Sequence, residues 1–127
     1  MTDATMLQFD YETVDGAIVA AVLGKRDEGG SWQSVAIVLE SRAMVLSVDA
    51  DSDQISVDLE AIPEGPEWAA IESMKIAVGS VLGWCWIGKN YRGYLDMFTV
   101  SFSDLEPQFL FFGMASSLHL RLVSKPG

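Results

Sequence analysis

The stretch Ile55-Ser56-Val57-Asp58-Leu59-Glu60 alternates apolar and polar side chains without a break. Successive side chains of an extended chain point to opposite faces, so Ile55, Val57 and Leu59 share one face while Ser56, Asp58 and Glu60 share the other. Such a segment is a strand with one side on a core and one in water. Just upstream, residues 43–48 form a second apolar run, and Asp49-Ala50-Asp51-Ser52-Asp53 between the two runs is built from turn formers, which predicts a hairpin. Further upstream, the turn signal Asp15-Gly16 opens a β-branched run over 17–23 that Gly24 closes. A polar connection over 25–31 leads into a returning strand over 32–39, and Leu7, Phe9 and Tyr11 alternate with Gln8 and Asp10 to suggest one more strand near the start.

Downstream, Ile62-Pro63-Glu64-Gly65-Pro66 interrupts the pattern. Pro66 suits a first helical position, and Trp68, Ile71 and Met74 fall three apart, so one short helix is expected near 66–74. Strands follow over 76–87, 94–102, 108–112 and 118–123, separated by turns at 88–93 and 103–107. The expected fold is mainly β, α+β only at the margin, with antiparallel strands curled into a barrel or sandwich and one helix at an end or edge. At 127 residues, half of them apolar, the chain can bury a core as one acidic domain over 1–127.

The formal net charge is -10, and it is unevenly placed. Residues 1–72 hold fifteen acids against Lys25, Arg26 and Arg42, whereas residues 73–127 hold three acids against five bases. An acidic surface repels phosphate backbones, which argues against nucleic acid as a partner and leaves a basic protein or a metal ion open. The single Cys85 cannot close an internal disulfide and sits in the apolar run Leu82-Gly83-Trp84-Cys85-Trp86-Ile87, the setting of a small buried hydrophobe. With a polar, acidic start and no apolar run of spanning length, a cytoplasmic location and no membrane partner are expected.

Asp49, Asp51, Asp53 and Glu60 stand at positions 1, 3, 5 and 12 of a calcium-loop spacing, with Asp58 between. Position 6, which needs glycine for the sharp turn, is Gln54, and the flanks are strand-like where helices are required. A hairpin with solvated acids is the better reading, so no metal site is assigned, and Asp49, Asp51, Asp53, Asp58 and Glu60 are taken as a candidate acidic contact surface.

The second constellation is Trp84-Cys85-Trp86-Ile87-Gly88-Lys89-Asn90-Tyr91-Arg92-Gly93-Tyr94-Leu95-Asp96. Trp84 and Trp86 share a face if they lie on one strand, and Asn90, Tyr91, Arg92, Tyr94 and Asp96 add stacking surface and directional hydrogen bonds around one turn. Trp, Tyr and Arg are the residue types of interface hot spots, although large aromatics more often serve packing. An Arg92–Asp96 bridge, or Arg92 stacked on a ring, is expected here. Trp86, Asn90, Gly93, Tyr94 and Asp96, together with the late Ser116-Ser117, resemble a family of small bacterial proteins of unknown function. The resemblance lies mainly in the C-terminal third; it implies a β-rich bacterial domain and brings no activity.

Catalytic chemistry is poorly supplied. His119, the sole histidine, alternates with leucines beside Arg121 and is expected off the apolar face, with no nucleophile specified for it. Cys85 has no cation or histidine near it in sequence to lower its pKa. Phosphate loops, dinucleotide fingerprints and Cys/His metal spacings are missing from the sequence, so no cofactor is assigned. The leading expectation is a non-enzymatic interaction protein, in one version an acidic immunity-type inhibitor of a basic partner; the alternative is a small-ligand-binding domain built on the aromatic turn. A homodimer through an open strand at 118–123 is a further expectation.

Overall fold

The computed structural model describes residues 6–49, 51–103 and 106–123. Ala50 of the expected hairpin tip, Asp104 and Leu105 of the expected 103–107 turn, and the polar start at 1–5 lie outside the described residues. The described strands are β1 (Ala21–Arg26), β2 (Trp32–Val38), β3 (Ala43–Val48), β4 (Ile55–Glu60), β5 (Trp68–Ala70), β6 (Leu82–Lys89), β7 (Leu95–Phe102), β8 (Phe109–Met114) and β9 (Ser117–Leu122). They make one antiparallel sheet in the order β4-β3-β2-β9-β8-β7-β6, with β1 on β2 and β5 on β1, curled into a half-barrel.

β2 joins the two parts of this sheet. β1 runs along one edge of it, with Ala21 opposite Val38, and β3 along the other, with Val38 opposite Ala43. Past the end of β3, Trp32 meets Leu118 of β9, the single bridge between β2 and β9. On the far side, residues 16–19 tie the start of β1 to β6: the Gly16 N–H donates to the Leu82 carbonyl, and the Leu82 N–H to Ala17. The inner face is one core to which both parts contribute, Val35, Ile37 and Met44 from the first and Phe98, Phe102 and Phe111 from the second.

The alternating stretch behaves as its period requires, with Ile55 and Val57 buried and Ser56 and Asp58 exposed. Gly24, expected to end its strand, lies inside β1, where a Cβ would press into the Trp32 ring and Ile71. The α-helix expected near 66–74 does not form. Trp68 and Ala70 instead pair with Lys25 and Leu23 of β1, and a 3-10 turn follows over Glu72–Ala77. The buried stripe is Ile71, Met74 and Ala77, spaced by three, the period of a 3-10 turn and not of an α-helix. Near the start, Leu7 makes one parallel bridge to Val57 and the chain then enters a 3-10 turn at Tyr11–Thr13, in place of the strand expected there. The strand at 118–123, expected as an open edge, is β9 and lies mid-sheet between β8 and β2; the path ends instead at β4 and β6.

Candidate functional site

β6 and β7 form the hairpin that carries the aromatic turn. The Asn90 N–H donates to the Tyr94 carbonyl at 3.0 Å, and the Gly93 N–H to the Asn90 carbonyl at 2.9 Å. The Asn90 side-chain oxygen accepts from the N–H groups of Arg92 (2.8 Å) and Tyr94 (3.2 Å), a local bond that asparagine makes more readily than most residues. Its amide nitrogen donates to Asp96 Oδ2 at 3.1 Å, which fixes the orientation of the amide. Gly93 has φ +85, a left-handed conformation that a side chain would strain. Asn90, Gly93 and Asp96 are therefore the frame of the turn.

Arg92 does not bridge to Asp96. Its Nε donates to the Tyr91 hydroxyl at 3.2 Å and its guanidinium lies 5.7 Å from the Tyr91 ring centroid. The frame thus presents a Tyr–Arg pair at its tip, with Tyr91 92 % exposed. Trp84 and Trp86 do share a face. Cys85 between them packs on the core, which turns the two indoles outward, and Trp84 is 56 % exposed. Trp84 stands roughly 20 Å along β6 from the turn, so the seven candidate residues are spread along the hairpin and do not wall one pocket. Met97, 44 % exposed, adds to the same outer face, and Phe112 of β8 lies opposite it.

The acids separate in the same way. Asp49 Oδ1 accepts from the Asp51 N–H at 2.9 Å, and Asp53 Oδ1 accepts from the Ser116 N–H at 2.8 Å. Asp53, with φ 60, together with Gln54, whose Oε1 accepts from the Leu95 N–H, clasps the β3–β4 tip onto the β8–β9 and β6–β7 turns. Gly113 is required at this clasp, since a Cβ there would collide with the Asp53 carbonyl. Asp58 and Glu60 are exposed on β4, outside any loop that wraps a cation.

His119 lies off the core as expected. Its ring stacks on Phe112 at 5.2 Å, its Nε2 is 3.1 Å from the Met114 carbonyl, and Arg121 sits 5.5 Å from the same Phe112 ring. The Cys85 thiol is pushed up to about 11, first by burial and then by Asp15, which disfavours the reactive thiolate. Burial likewise raises the Tyr11 phenol, whose hydroxyl donates to the Gly83 carbonyl at 2.8 Å.

The sequence pattern of one family runs along this whole arrangement, residues 1–127. The chain belongs to DUF6334, a family of unknown function. The match spans the acidic half as fully as the C-terminal third, where the resemblance had placed it. No curated protein and no solved structure matches the chain. In this DUF6334 domain the local turn grammar of Asn90 to Asp96 was legible. A cavity of about 290 Å³ beside Trp32, lined by Arg26, Ser73 and Arg121 among others, was not, because the β2–β9 contact assembles it from residues with no shared motif.

Proposed function

We propose that this DUF6334 protein is a non-catalytic binding domain that docks another protein through the outer side of the β6–β7 hairpin, with Tyr91 and Arg92 leading. The observation that carries this reading is the pre-organised turn. Asn90 and Asp96 hold the backbone while Tyr91 projects almost wholly into solvent with Arg92 against it. Ordering a loop on binding costs free energy, so a turn already fixed offers its Tyr and Arg with little further loss. The spread of Trp84, Trp86 and the tip along the hairpin favours a protein surface over a small ligand.

A second reading, an acidic inhibitor of a basic protein, draws on the exposed Asp51, Asp58 and Glu60, now without Asp53, which is committed to the clasp. Charge of this kind speeds encounter and weakens with salt. The test is capture of partners by the immobilised full chain from lysate of its source organism, comparing wild type, Y91A/R92A and D58N/E60Q at low and high salt. Loss of about tenfold or more in retained partner with Y91A/R92A alone supports the aromatic reading. Loss confined to D58N/E60Q and to high salt supports the acidic one, and capture indifferent to both pairs of changes overturns both.

A further inference from the structure

We propose that the seam between β2 and β9 is a binding site for a small multivalent oxyanion, carrying phosphate or carboxylate groups. The site is the cavity of about 290 Å³ whose walls include Arg26, Ser31, Trp32, Ser73, Leu120 and Arg121. Among the described residues its walls hold no carboxylate, in a chain with eighteen acids and eight lysines and arginines. Asp27, Glu28 and Glu72, within two residues of wall residues in sequence, do not line it, and the Asp27 carboxylate is engaged by the Ser31 N–H at 3.0 Å.

Among the described residues, the two guanidinium groups are positioned without a carboxylate partner. Arg26 lies 3.8 Å from the Trp32 ring centroid and donates to the Gly30 carbonyl at 2.6 Å. Arg121 lies 5.5 Å from the Phe112 ring centroid and donates to the Leu120 carbonyl at 2.9 Å. A guanidinium has five N–H donors, so each keeps donors and its full charge for a further acceptor.

The backbone adds another donor. The Val123 N–H donates to the Gln108 carbonyl, which places the Val123 main chain on the side of the strand before β8. Alternation then puts the main chain of Arg121 toward β8 and that of Leu120 toward β2, as for Leu118, which meets Trp32 there. β2 begins at Trp32, so its ladder does not extend to Leu120, and the Leu120 N–H faces the cavity. Two arginines, this N–H and the hydroxyls of Ser31 and Ser73 make a wall rich in donors, which an oxyanion complements through charge-assisted hydrogen bonds.

The experiment titrates the full ¹⁵N-labelled chain with inorganic pyrophosphate and, separately, with citrate, following the Trp32 indole N–H, the Leu120 amide and the arginine Nε–H signals by NMR. The variants are R26Q and R121Q at the seam, and R42Q, which removes the same charge beside a different cavity lined by Thr13, Val14 and Leu39. Arg26 and Arg121 are exposed, so these variants keep the fold, and the spectrum of each reports it directly. The expected result is saturable shifts at Trp32 and Leu120, weakened about tenfold or more by R26Q or R121Q and less than about twofold by R42Q. Tighter binding of pyrophosphate identifies a phosphate ligand; tighter binding of citrate, a carboxylate one. Absence of saturable shifts up to about 10 mM of either probe, or equal weakening by R42Q, overturns the proposal.

Discussion

The five strands β1 to β5 and the four strands β6 to β9 share a core and differ in what they show to water. With its connections, residues 21–70, the first group carries ten of the eighteen acids against three in the second, residues 82–122, and the middle of its outer face is closed by small side chains: Ala36, Val38, Ala43 and Val45 are buried against Leu23 and Trp68. The second group is close to neutral and leaves large side chains open, among them Trp84, Tyr91 and Met97. The difference sets most of the charge and the largest exposed apolar side chains on different groups of strands, and the docking proposed for the β6–β7 hairpin rests on that separation.

The strongest challenge to this division is Phe98→Ala. If both groups rest on one core, losing this buried ring costs about 3–5 kcal/mol and the whole molecule still unfolds in one transition. Urea unfolding followed by tryptophan fluorescence and by far-ultraviolet circular dichroism checks it; two separated transitions would split the domain. Gly113→Ala attacks the clasp between the groups and should cost about 1–3 kcal/mol, because the obstructing atom is the Asp53 backbone carbonyl and not a side chain free to swing away. The same unfolding measurement reads it.

Within the acidic group, Asp53→Ala should cost about 1–2 kcal/mol through loss of the bond from the Ser116 N–H, while Asp51→Asn stays within about 0.5 kcal/mol. Equal effects would mean that the tip is not clasped. The last effect concerns Cys85 and appears only at high pH. Its thiol holds its proton more tightly in the folded chain, at about 11 against an ordinary 9.0, so its contribution to stability is whole below pH 9.0 and is lost as pH rises toward 11. Comparing wild type with Cys85→Ser at the two ends of that window should show the wild type losing more. A constant difference between them would refute the shift.

Much of the fold was legible because strand period is local: Ile55 to Glu60 announces its faces, and with the apolar run Ala43 to Val48 before it announces the turn between them, without help from the rest of the chain. The segment around Trp68 misled because spacing by three fits both an α-helix and a 3-10 turn, and the decision lay in β1, which offered Trp68 and Ala70 a main-chain partner. At the candidate site, the frame of Asn90, Gly93 and Asp96 could be read, since an asparagine that bonds its own turn needs no distant residue. The partner of Arg92 could not, because Tyr91 and Asp96 were both within reach. Asp53 looked like one solvated acid among several until the fold brought Ser116 to it.

The place of β9 has a consequence for synthesis on the ribosome. β2 emerges early and meets its neighbours β1 and β3 soon after, but the strand that joins it at Trp32 is the final one of the described sheet. Until β9 has left the exit tunnel, the early strands can pair among themselves yet keep the apolar side of their sheet uncovered. A nascent chain in that state is exposed to mispairing and to chaperones. Ribosome-stalled chains with an added C-terminal linker that clears the exit tunnel, cut just before or just after β9, should therefore separate a protease-sensitive intermediate from a resistant one.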